Sequence, residues 1–368
     1  MNLKKNKGDV SFRWRKLYWA TAGFYGLYFG MMGFYVIQLP YFFKTTLNLS
    51  SLQIGILFGT MPIAKFLTPF HFLKRGLEIG ELKIGIAIGM IGGLLLLTLV
   101  YPLLLIAFFL LGVSFSILPP FVEKVAVERL GHSYGKARLV GSLTFLIASF
   151  ATPSGSLLLG IFLFLLLTSS LLTLFLYNFQ LKPSSSKKVQ FLWKKGWNFW
   201  VALILMKTAT VGFYTFFTIH IHQQGLENYL GLFWGVSIGA EVFLFLFQPK
   251  IMSHFSPMEA MEFALLATAI RWFILCLFPS NLFLTTVAQL LHATTFALFH
   301  IGAMAYLNST YSNKTLAQQF YGGLGYGLSW FIGNWFAGIL YPYHLFCWEG
   351  GLTLIALGVL AIGGKGRN

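Results

Sequence analysis

The chain has 368 residues, of which 57% are hydrophobic and only 10% are charged, and its mean hydropathy is +0.73. Soluble domains carry about 25% charged residues, so this composition excludes a soluble globular protein and indicates a polytopic membrane protein. The net charge of +16 does not point to nucleic-acid binding, because the basic residues lie between apolar segments, where positive-inside topology explains them.

Apolar segments long enough to cross a bilayer as α-helices, about 20 residues each, recur along the whole chain. The sequence predicts twelve such spans, at residues 17–40, 52–73, 82–100, 102–127, 137–153, 156–180, 198–221, 228–248, 257–278, 281–306, 315–340 and 342–363. Three pairs of neighbouring spans have almost no loop between them. Their breaks, near Pro102, Pro153 and Pro342, are predicted from turn-forming residues.

Lysine and arginine are distributed unevenly over the predicted loops. Most of the 26 lie in the tails and in the loops that follow even-numbered spans, whereas the loops that follow odd-numbered spans hold only Lys44. Cytosolic loops are the basic ones, so both termini are predicted in the cytosol and the protein in the cytoplasmic (inner) membrane. The basic N-terminal residues lack a cleavage pattern and are predicted to be a cytosolic tail and not a signal peptide.

A polar stretch rich in serine and lysine interrupts the apolar sequence at residues 182–197. We predict an all-α membrane protein with two pseudo-symmetric six-helix bundles, similar to the repeated halves of secondary transporters. Its parts are a tail (1–16), an N-terminal bundle (17–181), a cytosolic linker (182–197), a C-terminal bundle (198–363) and a second tail (364–368). A weak repeat supports this division, because Lys65 in span 2 and Glu241 in span 8 lie at similar depths.

Several segments resemble the branch of the major facilitator superfamily that holds the phenylpropionate permeases, with oligosaccharide and nucleoside proton symporters as wider relatives. They are Leu52–Gly55, Pro62–Lys65, Leu118–Pro119, Tyr134–Ser142, Gly239–Val242, Ile270–Trp272, Gln289–His300, Ala317–Gln319 and Tyr321–Gly327. The resemblance implies the major facilitator fold and transport by alternating access. The chain departs from it in the loop after span 2, which is basic but lacks the usual aspartate. Lys65 stands where an arginine is usual, and Glu123 where an aspartate is usual.

Ionisable residues inside the spans are the main candidates for function, because a charge at bilayer depth costs about 2.5–3.5 kcal/mol on insertion scales. We expect Glu241, Arg271 and His292 to share one cavity. Glu241 is predicted to be the proton acceptor, with Arg271 and His292 completing its network. The alternative is a buried network that only fixes helix packing. His300 is interpreted as a packing histidine.

A further set of residues is predicted to bind substrate near the middle of the membrane: Lys65, Arg271, Gln289, Asn334 and Tyr28. The role of Lys207 in span 7 and that of Glu349 stay open. Glu123 and Arg138 are predicted to form an ion pair at the cytosolic ends of spans 4 and 5, either as a gate or as an ordinary interfacial pair. Cys276 and Cys347 lie in apolar segments and are interpreted as small core residues.

Enzymatic alternatives find little support in the sequence. Asp9, in the tail, is the one aspartate, and His220 and His222 have no third residue to complete a metal site. We therefore predict no metal and no cofactor. The sequence favours a monomeric symporter that takes up a small organic, possibly aromatic, acid with protons. The alternatives are a nucleoside or sugar symporter on the same fold and, more remotely, an integral-membrane enzyme.

Overall fold

A computed structural model describes residues 2–72, 78–151, 155–179 and 196–364, and these are almost entirely helical. The first part of the chain forms α1 (Asn2–Gly33), α2 (Leu39–Thr46), α3 (Ser51–Phe72), α4 (Ile79–Leu96), α5 (Tyr101–Leu130), α6 (Tyr134–Phe150) and α7 (Gly155–Tyr177). The second part forms α8 (Trp197–Gln223), α9 (Leu230–Leu246), α10 (Gln248–Met252), α11 (Pro257–Leu277), α12 (Leu282–Leu290), α13 (Phe299–Thr310), α14 (Lys314–Gly322), α15 (Ser329–Leu340) and α16 (Leu345–Gly364).

The helices follow the predicted spans closely except at the N-terminus, where α1 begins at Asn2 and so includes most of the predicted tail 1–16. Within the described residues, 10 helical segments are long and apolar enough to cross a membrane. One of them, Tyr101–Phe150, contains both α5 and α6, which only a three-residue 3-10 turn separates. The helical segment Lys314–Leu340 coincides with the predicted span 315–340 but is less apolar than the 10. The described chain thus has the helices of a multi-pass membrane protein.

Turn and capping residues set several of the helix ends. Pro102 lies in the first turn of α5, where its missing N–H is not needed. Ser256 caps α11 by accepting a hydrogen bond from the Glu259 N–H, and the Glu259 carboxylate accepts one from the Ser256 N–H. At the beginning of α4, the Glu81 carboxylate accepts a hydrogen bond from the Glu78 N–H at 2.9 Å.

Two predicted polar segments lie outside the described residues. They are the basic loop before α4, with Lys74 and Arg75, and most of the predicted linker.

Within the described part of the chain, three π-helical segments interrupt the predicted spans 1, 10 and 11. They are Phe34–Gln38, Thr294–Leu298 and Gly323–Leu328. A π segment inserts extra residues into a helical turn and so changes the direction in which the following side chains point. Such segments are frequent at functional sites, and two of these three border the site described below.

The helices form two compact units. Unit 1 comprises Met1–Phe42 and Leu67–Ser186, and unit 2 comprises Phe43–Phe66 and Lys187–Asn368. Most of α3 therefore packs with the C-terminal helices, although its sequence belongs to the predicted N-terminal bundle. The core of unit 1 is built mainly around α1 and α5, and that of unit 2 around α8, α11 and α13.

Glycines allow α3 to approach α15 closely inside unit 2. A Cβ atom added at Gly55 would lie 2.8 Å from the Gly338 Cα, and one added at Gly327 would lie 2.7 Å from the Phe66 Cβ. Small residues at helix crossings are the usual basis of tight packing in membranes, where apolar side chains gain little by leaving lipid. Gly333 of α15 is a further example, because a Cβ added there would lie 2.7 Å from the Thr208 carbonyl oxygen of α8.

Cys276 and Cys347 form a disulfide that connects the end of α11 to the beginning of α16, with 5.4 Å between their Cα atoms. Their interpretation as separate small core residues is therefore wrong. No cysteine motif in the sequence predicts the disulfide, because the two residues lie on different helices, 71 positions apart. Only the packing of α11 against α16 brings them together.

Candidate functional site

Glu241 of α9 and His292, just after α12, form the central ionisable pair of unit 2. The Glu241 Oε2 and the His292 Nε2 lie 3.7 Å apart. The histidine side chain is 5% exposed, whereas the glutamate side chain is 25% exposed. The carboxylate therefore lies beside a buried imidazole and stays partly accessible. The sequence predicted that these two residues share a site, and the structure places them together.

A closed circuit of ring contacts includes His292 of this pair. Its centroid distances run from 5.4 Å, between Tyr214 and Trp330, to 6.4 Å, between Phe296 and His300. We call it the aromatic circuit; its members, in order of contact, are Tyr214, Trp330, Tyr326, Tyr321, His300, Phe296 and His292. Five of the seven rings are half-buried, so the circuit has an accessible side.

Helix periodicity and the π segments position these rings. His292, Phe296 and His300 are four residues apart and therefore lie on one helical face, where the rings stack with interplanar angles of 3° and 8°. Tyr321 and Tyr326 are five residues apart, a spacing that an α-helix directs to different faces. The π segment Gly323–Leu328 brings their ring centroids to 6.0 Å.

Lys207 of α8 lies against three members of the circuit, Phe296, Tyr321 and Tyr326. Its side chain is buried, and its ammonium donates one hydrogen bond, to the Tyr326 hydroxyl at 3.0 Å. The ammonium also lies 4.4 Å from the centroid of the Tyr326 ring and 5.6 Å from that of Phe299. Ring faces stabilise a cation electrostatically, so the aromatic surroundings partly replace water around this lysine.

Arg271 of α11 belongs to a separate buried group. Its side chain is fully buried between the rings of Phe213 and Trp272, with the guanidinium carbon 4.1 Å and 4.5 Å from the two centroids. One nitrogen donates to the Gln289 Oε1 at 3.2 Å, and that oxygen also accepts from Ser237 at 3.0 Å. Arg271 is within electrostatic range of His292, but its hydrogen bond goes to Gln289.

Glu349 of α16 is the second acid of this region. It is 4% exposed, and it lies so close to Gly212 of α8 that a Cβ atom there would overlap its Oε1. Glu349 and Arg271 are within electrostatic range of each other, although they do not form a direct ion pair. The Arg271 charge is thus opposed by a carboxyl group on the neighbouring helix.

The predicted substrate-binding residues differ in accessibility. Asn334 is 1% exposed. Its side-chain amide accepts a hydrogen bond from Thr215 of α8 at 2.6 Å and donates one to the Trp330 carbonyl of α15 at 2.9 Å. Both ends of this amide are therefore already engaged in contacts within and between α8 and α15. Gln289 is likewise fully buried. Lys65 in unit 2 is half-buried, as is Tyr28 in unit 1, whose ring stacks on Phe24 with a centroid distance of 5.7 Å.

Glu123 and Arg138 form an ion pair in unit 1, with 2.7 Å between the nearest nitrogen and oxygen. Two tyrosines donate to the same carboxylate: Tyr25 at 2.7 Å and Tyr134 at a shorter distance. Arg138 also donates to the Tyr134 hydroxyl at 2.6 Å. The two side chains are 37% and 47% exposed, so this is an accessible polar cluster at the junction of α5 and α6.

Sequence reasoning missed the aromatic circuit and the position of Lys207. One signal was present: His292, Phe296 and His300 recur every four residues, the spacing of a single helical face. The contribution of Tyr326 had no such signal, because it depends on the π segment. Within the described residues no group of three or more histidine, cysteine, aspartate or glutamate side chains is placed to hold a metal ion.

Apolar helices carrying buried ionisable groups indicate a membrane transporter, and the chain is similar to known transporters over nearly its whole length. It belongs to the MFS_1 like family, whose model matches residues 18–348. The "Probable 3-phenylpropionic acid transporter" of Escherichia coli (strain K12) is 26% identical, over 92% of this chain and 95% of that protein. The resemblance to the phenylpropionate permease branch is thereby confirmed.

Solved structures share the fold. A structure of the nucleoside transporter NupG matches with a TM-score of 0.74 and 15% identity, covering 94% of this chain and 97% of that one. The POT family transporter PepTSo matches with a TM-score of 0.75 and 11% identity, over 96% and 98%. The fold is therefore that of a major facilitator transporter, and the relatives are transporters and not enzymes.

Proposed function

We propose that the protein is a monomeric proton-coupled symporter that imports a small organic acid by alternating access. In this proposal twelve spans form two six-helix bundles in the cytoplasmic membrane, with both termini in the cytosol. The curated relative's name supports an acid as substrate, because that protein is described as a probable transporter of 3-phenylpropionic acid.

The pairing of Glu241 with His292 carries the proposal of proton coupling. A carboxylate on an apolar span is costly unless it has a function or a partner, and this one is partly exposed and 3.7 Å from an imidazole. Glu241 is assigned as the proton acceptor, and His292 as the group that stabilises its ionised form.

A carboxylate substrate also needs a fixed cation, since an unpaired anion is expensive in a dry site. Lys65 and Arg271 were the two cations predicted for this role. Arg271 is enclosed by two fully buried aromatic rings and faces Glu349, so we assign Arg271, together with Gln289 and Asn334, to holding the helices around the site. Lys65 and Tyr28, which are half-buried, remain candidates for substrate contact.

Glu123 and Arg138 are proposed to act as a cytosolic gate. Their ion pair is held by two tyrosine hydroxyls and is more than one-third exposed on both sides. An exposed pair of this kind contributes only about 0–1 kcal/mol, so it can open at little cost during a transport cycle.

The disulfide supports the proposed orientation. Cys276 ends α11 and Cys347 begins α16, and the charge distribution assigns both helix ends to the outer side of the membrane. Disulfides persist in oxidising compartments outside the cytosol. The charge distribution and the disulfide are independent of each other, and both support an outer location for these two helix ends.

Uptake into proteoliposomes tests the proposed function. With an inward proton gradient, 3-phenylpropionate is expected to accumulate above its external concentration, and a protonophore should abolish that accumulation. Uridine and a disaccharide are measured in parallel, because a nucleoside or sugar symporter is the alternative on this fold. Accumulation of either neutral solute, but not of the acid, would replace the acid by that substrate class.

A further inference from the structure

We propose that Lys207 binds the carboxylate of the transported acid, with Tyr326 holding the ammonium while the site is empty. This inference rests on the proposed function for the nature of the substrate. It concerns a residue for which the sequence offered no role, on a helix other than that of Lys65.

Lys207 lacks a counter-ion in the part of the chain that the structure describes. Its ammonium has three donors, and its one hydrogen bond goes to a neutral hydroxyl, that of Tyr326. The side chain is only 2% exposed, so water does not solvate the remaining donors. A buried ammonium in this state is a site for an anion.

The surroundings of Lys207 differ from those of Arg271. Arg271 has Glu349 within electrostatic range, and both rings that cover it are fully buried. Lys207 is covered by four rings: Phe299 and Tyr321 are buried, whereas Phe296 and Tyr326 are half-buried members of the aromatic circuit. A ligand that displaces one of the half-buried rings reaches the ammonium, whereas Arg271 stays enclosed.

An anion bound to Lys207 would also lie near the proposed proton site, Glu241 with His292. Lys207 is within electrostatic range of His292, which pairs with Glu241. A carboxylate on Lys207 neutralises a cation next to that pair, so substrate binding changes the electrostatic environment in which the proton is held. The coupling between the two ligands then requires no contact between Glu241 and the substrate.

The test compares 3-phenylpropionate with its uncharged amide, 3-phenylpropionamide, as competitors for binding to the purified protein. Wild type is expected to prefer the acid. In Lys207→Gln the affinity for the acid should fall about tenfold or more, equivalent to ~1.4 kcal/mol. Affinity for the amide should change much less, which also reports that the variant is folded. Lys207→Met, with an uncharged side chain of similar shape, replaces the Gln variant if that one does not fold.

Lys44→Gln is the matched control, because Lys44 lies at the end of α2, where its ammonium donates to the Leu49 carbonyl. It should keep the wild-type preference. An unchanged preference in Lys207→Gln overturns the inference, as does loss of the preference in Lys65→Gln alone. Binding of neither compound by wild type would instead refute the proposed acid transport, and this inference with it.

Discussion

The Glu241→Gln variant should exchange substrate across the membrane at close to the wild-type rate but should not accumulate it against a gradient. Glutamine keeps the size and hydrogen-bonding shape of protonated glutamate, yet it cannot release a proton. Exchange of internal for external substrate needs no net proton release, because the carrier returns loaded. Uphill transport needs release of the proton on each cycle, and this step is lost.

Two assays on the same vesicles separate these steps. Counterflow of labelled 3-phenylpropionate measures exchange, and uptake under an inward proton gradient measures coupling. Glu227→Gln is the matched control, because Glu227 lies in the exposed turn immediately before α9, outside the site. Proton-driven accumulation that survives in Glu241→Gln would remove Glu241 from the coupling mechanism, while loss of both activities would assign it to binding or folding.

The buried pair of Arg271 and Glu349 is expected to show strong energetic coupling. Arg271→Leu leaves Glu349 without an opposing charge in an apolar region, and Glu349→Leu does the same to Arg271. Each single variant should be destabilised by about 3 kcal/mol or more, because one buried charge then stays uncompensated. The double variant should be destabilised by less than the sum, since it removes both charges together.

A double-mutant cycle followed by reversible unfolding in detergent micelles measures this coupling. Gln289→Leu is a useful comparison, because it removes the hydrogen-bond acceptor of Arg271 and leaves both charges in place. Additive effects of the two charge substitutions would show that Arg271 and Glu349 are energetically independent. The cation would then be stabilised mainly by the Phe213 and Trp272 rings.

The sequence predicted the helices well because the bilayer imposes their length and composition. Span 257–278 corresponds to α11 at Pro257–Leu277, and span 198–221 to α8 at Trp197–Gln223. The ends agree within a few residues, since proline, glycine and capping residues mark them locally. The π segments did not follow from the sequence.

The site was predicted in part. Glu241 and His292 were expected together and lie 3.7 Å apart, and Glu123 and Arg138 lie 2.7 Å apart. Arg271 was expected beside Glu241, but its hydrogen bond goes to Gln289, and the acid within its electrostatic range is Glu349 of α16. Depth in the membrane can be counted from the sequence, whereas the rotation of each helix about its axis cannot. The position of Lys207 against the aromatic circuit depends on that rotation for three helices.

Direct detection of proton movement tests the central claim, which is that acid and proton cross the membrane together through the Glu241 site. Addition of 3-phenylpropionate to the outside of de-energised, weakly buffered proteoliposomes should make the external medium more alkaline, because each anion takes a proton inward. The change should require the protein, and it should be absent with Glu241→Gln. Substrate entry without any change in external pH would contradict proton coupling.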